Sequence, residues 1–391
     1  DWAEESGNAG RASAMLRQAQ GLSELNAKRQ DFDQDTLLLN VLNGTLEFTR
    51  EAGGAYDVVL RRHDPRDRIT RVAAVAYDPK ADCPGWKAHL ELCLPDPEVR
   101  AFLQTCLGYA LTGSTREQVL FVLQGKGGDG KSTTMNVIRR LLGGFALAAD
   151  VRTFLESGGR DGASASPDRF RFSGDTRMVS TGEPGLGQAF DEAFLKAFTG
   201  GSPLVARDLQ SKLLEFTPRG KLFLECNARP RIKGGDDGIW RRMVVVPFPV
   251  QIPAAQLVKG LEDRLVLEGP GILNWLLEGL FRWLEEGLVY PAAVVEAIDD
   301  YRRGSNPFAE WFGERLLLDP DAKVGAGLLH QDYKDWCTEN GHEPMTATAF
   351  GRALGDRQIV LCGKDSGGRK MRRGARIRPA VSSDLPGTEG Y

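Results

Sequence analysis

The sequence lacks three features that would each assign it to a broad class of protein. Its most apolar segment, residues 272–288, contains Glu278, Arg282, Glu285 and Glu286, too many charges for a membrane span. Its six cysteines include no Cys-x-x-Cys pair, which favours a reducing compartment and a cytoplasmic location. It also lacks an excess of positive charge. With a net charge of −3, any nucleic-acid binding must be local.

The start of the chain and its cysteine positions carry further expectations. There is no initiator methionine and no secretory signal, which fits a fragment of a longer protein. Cys83, His89, Cys93 and Cys106 have irregular spacing, so we interpret the three thiols as buried side chains rather than zinc ligands.

Residues 125–133 fit the phosphate-binding pattern G-x-x-x-x-G-K-[ST]. An apolar run over 119–123 precedes them and predicts a buried parallel strand, and a helical pattern follows until Gly143. Such a strand, loop and helix surround one anion with backbone N–H groups and a helix dipole. We therefore predict a site for ATP and Mg²⁺, made by these residues: Gly125, Gly127, Gly128, Asp129, Gly130, Lys131, Ser132 and Thr133.

Hydrolysis also requires an acid, a γ-phosphate sensor and positive charge for the transition state. Apolar runs at 177–180, 221–226 and 243–248 predict further parallel strands. Glu183 follows the first of these runs and is predicted to polarise the water or to hold Mg²⁺ with Ser132. Asn227 ends the second run as the predicted sensor. Arg241 and Arg242 precede the third, either as a solvated face or as an arginine finger.

The order of these parts resembles the superfamily 3 helicases, a branch of the AAA+ ATPases, and above all the phage, plasmid and poxvirus primase–helicases. Further segments carry the resemblance along nearly the whole chain: residues 39–46, 63–65, 77–79, 83–86, 108–113, 196–201, 227–230 and 240–242. The resemblance implies an α/β fold in which a helical lid packs on an AAA+ parallel-sheet core. The implied domains are a mainly helical N-terminal domain (1–115), the ATPase core (116–250), a helical segment (251–303), a winged-helix-like domain (304–380) and a tail (381–391).

The resemblance also implies roles for individual residues. Arg242 is the first choice for the finger and Arg241 the second. Lys196, Arg207 and Lys212 flank a predicted hairpin that would grip DNA in a ring channel, with ordinary surface charge as the alternative. Gly182 precedes Glu183 where the family often has a second acid. One carboxylate cannot easily serve as both metal ligand and base, so the role of Glu183 stays open.

The last domain ends in a basic segment. Residues 361–378 contain seven basic residues and one acid, which the resemblance interprets as the wing of a winged helix placed against DNA. Arg369, Lys370, Arg372 and Arg373 are its predicted contacts, and a disordered basic tail is the alternative.

The resemblance thus implies a DNA helicase that forms a hexameric ring and hydrolyses ATP. Its expected partners are single-stranded and forked DNA, on which it would move 3′ to 5′ in a bacterial host, and an upstream primase domain in the full-length protein. No membrane partner is expected. Three alternatives remain open: an RNA-directed viral ATPase, a loader or origin-binding ATPase that does not unwind, and a small-molecule kinase.

Overall fold

A computed structural model describes most of the chain. The described residues are 9–22, 27–51, 53–156, 167–185, 187–207, 213–232, 237–340, 342 and 344–378. They form two compact units, residues 1–298 and 299–391. Two of the predicted features, Lys212 and the tail 381–391, lie outside the described residues. Among the residues described, no helix combines the length and apolarity that crossing a membrane requires.

The first unit contains ten strands and most of the helices. Its helices are α1 (Ala9–Gln20), α2 (Pro84–Cys93), α3 (Pro97–Tyr109), α4 (Lys131–Leu142), α5 (Pro167–Arg171), α6 (Glu192–Thr199), α7 (Asp237–Trp240), α8 (Leu261–Leu267) and α9 (Gly269–Glu286). Its strands are β1 (Leu38–Val41), β2 (Gly44–Arg50), β3 (Tyr56–Arg61), β4 (Leu120–Gln124), β5 (Ala146–Ala149), β6 (Met178–Thr181), β7 (Leu204–Arg207), β8 (Leu213–Phe216), β9 (Lys221–Cys226) and β10 (Met243–Pro247).

A five-stranded parallel sheet is the centre of this unit, in the order β10-β4-β9-β6-β5. The parallel α/β sheet predicted from the four apolar runs is confirmed. Strand β5 was not predicted, because Ala-Leu-Ala-Ala has neither a long apolar run nor β-branched residues. All five carboxyl ends meet at one edge, where ligands bind in such sheets.

The first 115 residues combine helices with a sheet. Here β1, β2 and β3 form an antiparallel sheet, and Asn43-Gly44 joins the first two strands. The "mainly helical" description of this region therefore omits three strands. Leu39, Val41 and Leu46 of β1 and β2 are fully buried.

Helices α3 and α9 touch through their backbones, which joins the N-terminal region to the segment after the sheet. A Cβ on Gly108 would lie 2.2 Å from the Leu280 backbone N, and a Cβ on Gly279 would lie 2.1 Å from the Gln104 carbonyl O. Only glycine permits this approach at either position. Four leucines of α9 are also buried: Leu273, Leu276, Leu277 and Leu280.

A buried ion pair ties the sheet to the N-terminal region. Arg177, just before β6, has no solvent exposure and donates to Asp175 Oδ2 from Nε (3.0 Å) and Nη2 (2.7 Å). The same guanidinium donates to the carbonyl oxygens of Leu38 and Leu111. Each of the three guanidinium nitrogens thus donates to an oxygen, as burial of a charge requires.

The second unit has its own aromatic core. The unit begins within α10 (Ala292–Gly304) and continues with α11 (Pro307–Arg315), β11 (Leu316–Gly325), α12 (Ala326–Glu339), α13 (Ala347–Asp356), β12 (Val360–Lys364) and β13 (Lys370–Ile377). The strands form an antiparallel sheet in the order β11-β13-β12. Phe308, Trp311, Tyr333, Trp336 and Phe350 fill the space between helices and sheet.

We expect Asp175→Asn to lower the free energy of unfolding of the first unit by about 3 to 5 kcal/mol, because it leaves the Arg177 charge buried without a counter-ion. Chemical denaturation measures this loss. The matched control is Asp263→Asn, whose partner Arg140 is 44% exposed, so that change should cost less than about 1 kcal/mol. Equal, small losses in both variants would contradict a structural role for the buried pair.

Candidate active site

The phosphate-loop sequence lies between the carboxyl end of β4 and the first residue of α4. Gly130 caps α4 in the left-handed region (φ 84°), and a Cβ there would lie 2.2 Å from Cys93 Sγ, so no other residue fits. The Gly125 N–H donates to the Cys226 carbonyl O (3.1 Å), and the Gly128 carbonyl O accepts from the Ile252 N–H (2.8 Å). Thr133 is partly buried in the first turn of α4. The loop is therefore held from both sides.

An anionic group already lies inside this loop. The buried Asp129 carboxylate accepts from the Gly127 N–H (3.1 Å) and forms an ion pair with Lys131 Nζ, and both side chains are at most 5% exposed. These are donors that a phosphate would use. The carboxylate thus acts as an internal stand-in for a phosphate oxygen, and its position shows that the loop accommodates an anion.

Asn227 joins Lys131 to Glu183. Its Oδ1 accepts from Lys131 Nζ (3.0 Å), and its Nδ2 donates to Glu183 Oε2 (3.0 Å). The Asn227 backbone N–H donates to Glu183 Oε1 (3.1 Å). The structure therefore brings three of the predicted residues into one hydrogen-bonded chain, at the ends of adjacent strands. Glu183 is exposed to solvent at the end of that chain.

A second acid near the loop was missed in the sequence. Glu225, the last but one residue of β9, accepts a hydrogen bond at Oε2 from the Ser132 hydroxyl (2.5 Å). Burial raises the pKa of Glu225, and the Ser132 hydroxyl opposes that shift. The available signal was a charged residue inside the apolar run 221–226, where an unpaired carboxylate would be costly.

Helix α2 forms the floor of the loop. His89 is 5% exposed, and its Nε2 lies 3.0 Å from the Thr134 hydroxyl of α4. Its ring also contacts the buried Cys93 thiol. Burial lowers the pKa of His89 to about 4 and raises that of Cys93 to about 12. Both are therefore neutral at physiological pH, and they fit beneath Gly130 without adding charge to the anion site.

The two arginines proposed as fingers lie away from this chain's own loop. They precede β10, at the amino edge of the sheet, whereas the loop follows the carboxyl edge. Five residues of β10 separate the edges by roughly 16 Å. Arg242 is partly buried and donates from Nη1 to the Gly238 carbonyl O (2.7 Å), and Arg241 is exposed.

The predicted hairpin is present between β6 and β9. It consists of β7 and β8, paired from Leu204 with Phe216 to Arg207 with Leu213. Arg207 ends β7 beside the tip, and Lys196 lies on α6 with Glu192 3.9 Å from its Nζ. Val205 and Leu213 are largely exposed on this hairpin.

The basic segment of the second unit forms the β12–β13 hairpin. Arg369, Lys370 and Arg373 are exposed there, but Arg372 is not. Arg372 is 8% exposed and donates to the carbonyl oxygens of Ile359 (2.5 Å) and Gly351 (2.8 Å), so its charge stabilises the unit from inside. The prediction that Arg372 contacts DNA is therefore corrected. Nothing in a run of basic residues marks which one turns inward.

Residues 1–95 match the family model described as "D5 N terminal like". The chain is 28% identical over 334 residues to "Putative helicase L207/L206" of Acanthamoeba polyphaga mimivirus, covering 80% of this chain and 34% of that protein. It is 27% identical over 286 residues to "Putative helicase 022R" of Frog virus 3 (isolate Goorha), covering 68% of this chain and 29% of the relative. The chain is thus similar over most of its length to putative helicases of large DNA viruses.

The coverage of the relatives is partial, and a solved structure also resembles the chain. The chain spans about a third of the length of these two relatives. The chain is also similar to the solved apo structure of the NrS-1 C-terminal region. The superposition covers 84% of this chain and 82% of the NrS-1 chain, with 12% sequence identity and a TM-score of 0.47.

We expect the stability of this chain to fall as pH drops from about 6.5 to 4, in part through His89. The folded-state pKa is about 4, against the 6.5 of an unfolded histidine, so the contribution is complete above 6.5 and decreases as pH falls. The loss should reach about 3 kcal/mol at pH 4. Denaturation of the wild type and His89→Gln across this range should show a shallower slope in the variant. Parallel slopes would contradict a buried, neutral His89.

Proposed function

We propose that this chain is the ATP-hydrolysing motor of a ring-forming DNA helicase. The single observation that carries the proposal is the hydrogen-bonded chain from Lys131 through Asn227 to Glu183, beside the hydroxyl of Ser132. A phosphate-binding lysine, a polar sensor and an acid are the parts that hydrolysis of a nucleotide requires. The names of the viral relatives support the same helicase-type function.

Binding of ATP would use the donors that Asp129 now occupies. The γ-phosphate competes with the Asp129 carboxylate for Lys131 Nζ and for the Gly127 N–H. Lys131 then places its charge on the β- and γ-phosphates. The donor set fits Mg²⁺ as well, because this ion prefers oxygen ligands from one or two side chains together with phosphates. When bound, Mg²⁺ neutralises charge that develops on the phosphates.

Glu183 would orient and polarise the attacking water. Its carboxylate is exposed to the cavity and held at both oxygens by Asn227, so its direction is fixed before substrate arrives. The Asn227 amide would also sense the γ-phosphate through the same network. Preorganised polar groups of this kind are a large part of enzymatic rate enhancement.

Arg242 would complete the site of a neighbouring subunit. Because both arginines lie at the opposite edge of the sheet, neither reaches its own loop, and a finger supplied in trans explains their position. This arrangement supports the AAA+ assignment and a closed ring, for which we propose a hexamer. Arg241, the more exposed of the two, is the alternative finger.

Two elements would contact DNA. The β7–β8 hairpin, in which Arg207 ends β7, would enter the ring channel and hold a single strand together with Lys196 and Lys212. In the second unit, the order of α11, β11, α12, α13 and the β12–β13 hairpin is that of a winged helix. There Arg369, Lys370 and Arg373 would hold the phosphate backbone. Movement 3′ to 5′ on forked DNA and an upstream primase complete the proposal.

Mixing two inactive variants should restore hydrolysis if Arg242 acts in trans. Arg242→Ala should bind ATP almost normally but lose on the order of 10³-fold in turnover. Glu183→Gln should also bind ATP and turn over slowly, because an amide does not polarise water. In mixed rings, some interfaces join an intact Glu183 to an intact Arg242. We therefore expect a DNA-stimulated rate well above either variant alone, measured as phosphate release.

Glu183 is the better partner for this mixture than Lys131, because Lys131→Ala would leave Asp129 buried without its cation. Arg241→Ala serves as the matched control and should retain most activity. If subunits are shown to exchange and the mixture stays inactive, the finger acts in cis or is Arg241. Hydrolysis without any strand separation on a forked duplex would identify a loader, and stimulation by RNA alone an RNA-directed ATPase.

Changing Arg369, Lys370 and Arg373 together to Ala should weaken DNA binding mainly through charge. Each lost phosphate contact on a single strand reduces the slope of log affinity against log salt by about 0.7, so the slope should flatten by about 2. Fluorescence anisotropy with a labelled strand over a salt series measures this change. ATP hydrolysis without DNA should not change, because the three residues lie in the second unit.

The control for that experiment removes the same charge elsewhere in the second unit, by changing Arg302, Arg303 and Lys334 to Ala. This control should keep the wild-type slope. An equal flattening in both triple variants would mean that overall charge, not the hairpin, determines binding.

A further inference from the structure

Three carboxylates line a cavity of about 430 Å³ next to the phosphate loop: Asp129, Glu183 and Glu225. Two of these carboxylates have hydrogen-bond partners that indicate their roles. Asp129 pairs with Lys131 inside the loop, and Glu183 is held by both nitrogens of Asn227. Glu225 has a different partner, the hydroxyl of Ser132. The acids are therefore distributed over three separate places around the cavity.

Glu225 lies where a metal ligand is needed. Strand β9 is the neighbour of β4, and Glu225 is opposite Leu123, two residues before the loop begins at Gly125. Its Oε2 is 2.5 Å from the Ser132 Oγ. In phosphate loops the hydroxyl at the position of Ser132 is a ligand of Mg²⁺. A carboxylate in contact with that hydroxyl is close enough to bind the same ion, directly or through one of its waters.

Two buried hydroxyl groups indicate that a hydrated ligand binds in the same cavity. Ser180 and Thr181, at the end of β6, are 3% and 2% exposed and line the cavity. Among the described residues, neither Ser180 Oγ nor Thr181 Oγ1 has a hydrogen-bond partner. Buried polar atoms are normally satisfied. Because protein-bound Mg²⁺ keeps several of its waters, those waters would supply the partners that the two hydroxyls lack.

The local charges fit a cation beside Glu225. Burial favours the neutral carboxyl group and raises its pKa, whereas Ser132, Lys131 and Arg139 lower it in that order. A divalent ion would hold Glu225 ionised and compensate for its desolvation. Glu183 has no comparable contact with Ser132, so the two acids differ in what they can do.

Resting on the proposed ATPase function, we infer that Glu225, together with Ser132, binds the Mg²⁺ that accompanies the nucleotide. Glu183 is then left free to act on the water. Gly182 stands where a second acid would precede Glu183, and Glu225 supplies that second acid from another strand. Glu225 binds the metal from β9, the strand that precedes Asn227, rather than from β6, the strand that precedes Glu183.

The test compares Glu225→Gln with Glu183→Gln. Glutamine at position 225 can still accept the Ser132 hydrogen bond, so it removes the charge and keeps the contact. Binding of a fluorescent ADP analogue is measured in EDTA and in excess Mg²⁺. In EDTA both variants should bind like the wild type. In Mg²⁺, Glu225→Gln should lose at least tenfold of the tightening that the metal gives, and Glu183→Gln should keep it.

Turnover provides a second readout that separates the two acids. The Mg²⁺ concentration for half-maximal hydrolysis should rise at least tenfold in Glu225→Gln. In Glu183→Gln the maximal rate should fall while that concentration stays the same. Electron paramagnetic resonance of Mn²⁺ with ADP should give the same order of metal affinities without any turnover.

Several outcomes would overturn the inference. If Mg²⁺ tightens ADP binding to Glu225→Gln within twofold of its effect on the wild type, Glu225 only positions Ser132. If Glu225→Gln binds ADP more weakly than the wild type even in EDTA, while its melting temperature is unchanged, then Glu225 contributes to nucleotide binding without the metal. Should the glutamine variant fail to fold, the same measurements are made on Glu225→Ala, and an effect of Mg²⁺ within twofold of that on the wild type would contradict the inference. If the wild type binds ADP equally well in EDTA and in excess Mg²⁺, that result would instead contradict the proposed function.

Discussion

The position of β9 between β4 and β6 is the constraint on which the site depends. The strand pairs in parallel with both neighbours, so its carboxyl end lies between the phosphate loop and the end of the acidic strand. Asn227, one residue beyond β9, can therefore bond to Lys131 on one side and to Glu183 on the other. Glu225, one residue before the end of β9, faces Ser132. With another strand in this place, neither bridge would form.

The same placement explains where the β7–β8 hairpin comes from. A parallel strand must be reached by a crossover from one edge of the sheet to the other. Residues between β6 and β9 make that crossover, and they include α6 and the hairpin. The element proposed to hold DNA is thus part of the connection between Glu183 and Asn227. Strand β8 leads into the amino end of β9, whereas Asn227 lies beyond the carboxyl end of that strand.

Much of this arrangement could be predicted from the sequence, because its signals are local. The phosphate loop has fixed spacing, and four of the five parallel strands lie at segments where apolar residues are concentrated. The parts that could not be predicted depend on which strands become neighbours. Glu225 acquires its partner only because β9 pairs with β4, and β5 contributes to the sheet with too few apolar residues to be noticed. Arg372 differs from Arg373 only in the direction of its side chain, which a run of basic letters does not encode.

The floor beneath Gly130 has a consequence for how the chain can be divided. His89 and Cys93 belong to the segment that matches the D5 N-terminal model, yet they fill the space that any side chain at position 130 would need. The boundary of that model at residue 95 is therefore not a boundary of independent folding. A fragment starting beyond it would expose the underside of the loop. A chimera that took this segment from one relative and the nucleotide-binding half from another would have to preserve the fit between residues 89, 93 and 130.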